Sequence, residues 1–191
     1  MSKENNESVI VFEELKLQLQ QKTKKGVDFI FAASVTWLLI SGIWIFTINT
    51  AYEKSVFTFV IGAALLPLAL GFSKIFKTQW KIKVNPLQPL GLWLNFAQLI
   101  YFPFLIFMLV KYPDYFIMSY AIITGAHLFP YGWLYDEIGY AIIGIIIAFG
   151  AMLLALFDYN SSIITIFTSI MLLVLGILIL YRIQNIINEN T

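Results

Sequence analysis

The chain has 191 residues, of which 60% are apolar or aromatic and only 12% charged, with a mean hydropathy of +0.82. Soluble domains run at about 45–50% apolar and about 25% charged, so this composition excludes an ordinary globular domain and points to a chain whose solvent is lipid. Twelve Lys and Arg against 11 Asp and Glu leave a net charge of +1, which argues against a nucleic-acid partner. With no cysteine and one histidine there is no disulfide framework, iron–sulfur cluster or zinc ribbon, and no metal site built from several imidazoles; no metal and no cofactor is expected.

Residues 1–28 form a polar N-terminal segment with neither the apolar stretch nor the small-residue cleavage pattern of a signal peptide. Within it Val9, Phe12, Leu15 and Leu19 recur at helical spacing, which predicts an amphipathic helix either at the membrane surface or packed on the chain's own loops. Residues 29–181 then form the membrane domain. Six apolar runs follow, each long enough to span: Val27 to Ile48, Val56 to Phe76, Leu90 to Val110, Tyr115 to Tyr135, Ile138 to Phe157 and Ile163 to Tyr181. The separators Lys111 to Asp114, Asp136-Glu137 and Asp158 to Ser161 are so short that consecutive spans must be antiparallel neighbours. The expected fold is therefore all-α, a six-span transmembrane bundle with an up-and-down path.

Ten of the twelve basic residues fall on one side of this path: Lys3, Lys16, Lys22, Lys24, Lys25, Lys74, Lys77, Lys81, Lys83 and Arg182. Only Lys54 and Lys111 fall on the other. The positive-inside rule then places both termini in the cytoplasm, including the tail at 182–191, and an even number of spans agrees.

Polar side chains inside a span are costly and face the bundle interior, so they mark where function is to be sought. Asn95, Gln98 and His127 stand out. Counted from the cytoplasmic ends of their spans, Gln98 and His127 both lie about 12 Å deep, and Asn95 shares a helical face with Gln98. Pro67, Pro103 and Pro130 lack an N–H and predict kinks that free the carbonyls of Ala63, Leu99 and Ala126. The Asn95 or Gln98 amide, or a ring N–H of His127, can donate to such carbonyls. Two readings follow: a hydrogen-bonded clasp between kinked helices, or a solvated cavity that binds or conducts a small molecule or ion. A haem held by His127 and Met108 or Met118 is disfavoured, because those methionines fall towards the opposite side of the membrane. Ser34, Thr36 and Ser41 either add hydroxyls to the interior or bond back to their own helix.

The least generic stretch is GAHLFPYGWLY, residues 125–135, preceded two spans earlier by the similar Gly62-Ala63-Ala64-Leu65-Leu66-Pro67. This run resembles that of an uncharacterised family of small multi-pass bacterial membrane proteins. The resemblance implies the bacterial cytoplasmic membrane and no known activity. Tyr131, Trp133 and Tyr135 in the run either line a pocket mouth or form an interfacial belt. The leading expectation is a small carrier or ligand-binding membrane protein using Asn95, Gln98, His127 and Tyr131. Its rival is an accessory or interaction protein in which the same residues only lock helices. An enzyme is disfavoured, since paired intramembrane carboxylates and a multi-ligand metal set are missing. The lipid bilayer is the expected partner, and the scattered glycines leave homo-oligomerisation open.

Overall fold

The computed structural model describes residues 2–82 and 85–189, and among them it contains helices and no strands. Lys83, one of the ten lysines and arginines counted on the first side, lies outside the described residues. The helices are α1 (Ser2–Thr23), α2 (Val27–Phe46), α3 (Ala51–Gly62), α4 (Leu65–Phe76), α5 (Gln88–Leu99), α6 (Phe102–Lys111), α7 (Phe116–Leu134), α8 (Ile138–Leu156) and α9 (Ser161–Glu189). They form six rods and a capping helix, because α3 runs into α4 and α5 into α6 across breaks of two residues. Pro67 sits in the first turn of α4 and Pro103 in that of α6, where a missing N–H has no intrahelical partner to lose. Pro130 lies inside α7, which continues to Leu134.

Five stretches are long and apolar enough to cross a membrane: Val9–Phe46, Ala51–Phe76, Gln88–Lys111, Ile138–Leu156 and Ser161–Asn185. This is the pattern of a membrane protein. The remaining rod, α7, has 19 residues but is diluted by Ser119, Tyr120, Thr124, His127, Pro130 and Tyr131. Neighbouring rods account for that. α7 packs on α8 and also meets α5, α6 and α9, so Phe116, Ile117, Ala121 and Leu128 are buried and its polar residues face protein. α2 packs on α9, α4 and α3, and α8 on α9.

Small residues let these rods approach. Gly125 of α7 meets Gly144 of α8 so closely that a Cβ on either would lie 2.5 Å from the carbonyl oxygen of the other. Between α2 and α9, Ser34 Oγ donates to the Ser169 carbonyl and Ser169 Oγ to the Ser34 carbonyl, both at 3.0 Å. Thr36 and Ser41 instead donate to the carbonyls four residues back. At the far end Trp44 Nε1 donates to Thr58 Oγ1 at 3.0 Å, and α3 starts with a Thr50–Glu53 capping box.

The near end is closed by α1. Thr23 ends that helix, and Lys24, Lys25 and Gly26 all take positive φ (46°, 51° and 71°), a sequence of left-handed residues that turns the chain into α2. Two lysines there are strained by about 1–2 kcal/mol each. Tertiary bonds hold them: Tyr140 donates its hydroxyl to the Lys25 carbonyl, and Lys25 Nζ reaches the Asp136 carbonyl at 3.2 Å. Gly26 is needed for space as well, since a Cβ would fall 2.9 Å from the Tyr135 ring. α1 itself docks on the end of α7 and on the loop before α5. Phe12 packs against Trp133, Lys16 Nζ lies over the same indole at 4.8 Å, Gln20 donates to the Leu134 carbonyl, and Asn85 donates to the Leu15 carbonyl. Val9, Ile10, Val11 and Leu17 remain exposed on its other side.

Candidate functional site

A cavity of about 330 Å3 lies between α2, α5 and α7, reaching from Thr36 and Tyr120 inside the bundle to Trp80 and Lys81 on the loop before α5. Asn95, Gln98, His127 and Tyr131 all line it. They meet because α5 and α7 run side by side and the spacing of three or four residues keeps each pair on one face.

Two of the four meet at one backbone oxygen, and a third joins them through Asn95. Asn95 Nδ2 and the Tyr131 hydroxyl each donate to the Gly91 carbonyl, both at 3.1 Å. His127 Nε2 lies 3.3 Å from Asn95 Oδ1. With the amide nitrogen committed to Gly91, the amide oxygen is left as acceptor, so the imidazole carries its proton on Nε2 and donates it. The His127 and Tyr131 rings meet edge to face at 5.3 Å. Gln98 lines the same space one turn from Asn95, and among the described residues its side chain makes no hydrogen bond. Of these four, its side chain is left free to meet an occupant.

His127→Leu is expected to lower thermal stability modestly, by about 0.6–1.7 kcal/mol for the lost interhelical bond, and His127→Gln by less, because the amide keeps a donor. Melting in detergent measures both. Equal melting of the wild type and His127→Leu would show that the bond to Asn95 contributes nothing.

Two carboxylates at the near end were not among the sequence-derived candidates. Asp28 falls at the end of the polar N-terminal segment in sequence, yet it sits in the first turn of α2 with only 1% of its surface exposed. Its Oδ2 accepts from Thr78 Oγ1 at 2.6 Å and from Trp80 Nε1 at 2.7 Å, and the residue lines the cavity. Glu137 is also 1% exposed. Its two oxygens take Arg182 at 2.9 Å and Lys25 at 3.4 Å, so the chain before α2, the α7–α8 turn and the end of α9 are tied together. Asp28 carries a legible signal, a lone acid opening an apolar run where the helix dipole favours it. Glu137 carries none, because its partners lie more than a hundred and about 45 positions away in sequence.

A comparison of whole sequences agrees with an uncharacterised family. A family model described as a family of unknown function, DUF7010, matches residues 12–182. The chain belongs to this family. The match begins in α1 and ends at Arg182, and so takes in the Lys25–Glu137–Arg182 cluster and every cavity residue named above. No curated protein and no solved structure matches the chain. Among the described residues no three His, Asp or Glu side chains come together as a metal site would require.

Proposed function

We propose that this DUF7010 member is a six-span protein of the bacterial cytoplasmic membrane, both termini inside, that binds or carries a small molecule or ion in the cavity between α2, α5 and α7. The observation that carries this reading is the cavity itself. A mostly apolar space of this size with a few convergent polar groups is the usual form of a ligand site. It extends to the loop bearing Lys81, on the lysine-rich side, so the ligand would enter from the cytoplasm. α7 counts as a span in this reading because its polar residues are sheltered by neighbouring rods, which lowers the cost of placing them in a bilayer.

A second reading rests on the bonds at Gly91. His127 bonds Asn95 and Tyr131 bonds the Gly91 carbonyl across α5 and α7, as helix-locking residues of a non-transporting accessory protein would. Under that reading the space is dry and Gln98 meets nothing.

Single cysteines in a chain that has none separate the two. In intact cells a membrane-impermeant maleimide is expected to label Lys54→Cys and Asp114→Cys but not Lys81→Cys. In inside-out vesicles it should label Lys81→Cys quickly and Gln98→Cys more slowly. Labelling of Lys81→Cys from outside overturns the topology. A Gln98→Cys inert from both sides overturns the cavity and leaves the clasp.

A further inference from the structure

Ion pairing at the near end is uneven in a way that bears on what the cavity takes. Among the described residues the two cations that form ion pairs, Lys25 and Arg182, both go to Glu137. Asp28, equally buried, receives no cation among the described residues. A carboxylate offers about four acceptor positions, and here two are taken, both on Oδ2, while no donor side chain among the described residues bonds Oδ1. Lys81 also lines the cavity but is exposed, so its ammonium stays in water at the rim. A buried carboxylate without a cation is costly, and an occupant of opposite charge removes that cost.

The walls around it are rings. Trp80 stacks on Phe29 at 4.8 Å, and Tyr131, Tyr135 and Tyr140 form a three-ring cluster with centroids 5.6–5.9 Å apart, all lining the same cavity as Asp28. Ring faces carry negative quadrupole density and attract an organic cation, most of all one that sheds its water easily. A calcium ion takes six to eight oxygens, and Asp28 is the one carboxylate among the residues lining the cavity, so the lining suits an organic cation better.

We propose that the cavity takes a small organic monocation, an amine or quaternary ammonium group, with Asp28 as its counter-charge and Trp80, Tyr131, Tyr135 and Tyr140 as its walls. This rests on the ligand-binding reading above and names the class of ligand for that same site. The cation is either a free solute or the headgroup of a lipid, and the recognition chemistry is shared.

Full-length protein in phosphatidylglycerol nanodiscs is titrated with choline, with its uncharged isostere in which a tert-butyl group replaces the trimethylammonium, and with the corresponding carboxylate anion. Calorimetry gives affinity, and the indoles of Trp37 and Trp80 in the cavity wall report occupancy by fluorescence. Choline is expected to bind at least about tenfold more tightly than the isostere, and the anion not at all. Asp28→Asn, which keeps an acceptor for Thr78 and Trp80, is expected to erase that preference. Choline that binds no better than the isostere overturns the proposal, as does a preference unchanged in Asp28→Asn. The wild-type comparison decides even where the variant does not fold. Competition by added phosphatidylcholine assigns the site to a headgroup, and its absence to a free cation. A cation test that fails while Gln98→Cys still labels removes the ligand class and leaves the cavity. An inert Gln98→Cys removes the cavity itself.

Discussion

Glu137→Ala is expected to cost about 3 kcal/mol of stability, among the largest losses for any single side chain at this end of the bundle. Its carboxylate is 1% exposed and holds Lys25, whose side chain is 12% exposed, and Arg182, which is half exposed. Removing one member of a buried pair leaves the other charge without compensation, and this costs about 3–5 kcal/mol in deeply buried cases. Arg182 can turn to water and adds little. Lys25 cannot move as freely, because its backbone is held in a left-handed conformation by the bond from Tyr140. The loss therefore falls near the low end of that range. It spreads along the chain, since Glu137 also caps α8 by accepting from the Gly139 N–H. Glu137→Gln keeps the shape and part of the cap but not the charge, and should fall between. For a chain of this length 3 kcal/mol corresponds to about 6–12 °C in melting temperature. A Glu137→Ala protein that melts with the wild type in detergent would show that the cluster is solvated and structurally idle.

What the sequence reveals about this end, and what it hides, follows from the range over which each feature is encoded. Helical period and proline chemistry are local. The apolar runs mark the rods, Pro67 and Pro103 mark the two breaks, and rise per residue along neighbouring antiparallel rods matches His127 in depth with Gln98, one turn from Asn95, the residue it meets. The N-terminal segment is legible as a helix from Val9, Phe12, Leu15 and Leu19, but which side docks is not. Leu19 is buried with Lys16 and Gln20 while Val9 is exposed, because the docking surface is made by Trp133 and Leu134 at the end of α7 and by Asn85 on the loop before α5, all distant in sequence. Asp28 is legible as an acid opening α2, but its burial is not, because that is set by Thr78 and Trp80 of a distant loop, which bond it. The shortfall of α7 in apolarity has the same origin. A rod surrounded by others can carry His127, Tyr131 and Thr124, and nothing within its own 19 residues says that it is surrounded.

The glycines show this most sharply, and they carry the other large effect. Gly139, Gly144 and Gly150 by themselves make no regular seam along α8, but Ala141, Gly144 and Ala148 do, and Gly144 and Ala148 face Gly125 of α7 at a backbone crossing. A Cβ added at Gly125 would lie 2.5 Å from the Gly144 carbonyl oxygen and 2.9 Å from the Ala148 nitrogen. Both are main-chain atoms, so no rotamer change relieves the clash and the helices must separate. Gly125→Ala is therefore expected to destabilise by about 1–3 kcal/mol, although alanine favours a helix by about 1 kcal/mol over glycine. Gly150→Ala meets the Phe167 ring end instead, which can swing aside, and should cost less. Gly42→Ala and Gly71→Ala, with no heavy atom within 4 Å of the added carbon, should be neutral or stabilising. Melting the four variants side by side in one detergent tests the order, and Gly125→Ala as stable as Gly42→Ala would overturn the close crossing. The same substitution reaches the cavity. His127 follows Gly125 by two residues, so parting α7 from α8 shifts its ring against Asn95, and Gln98→Cys should then label faster from the Lys81 side than it does with Gly125 intact.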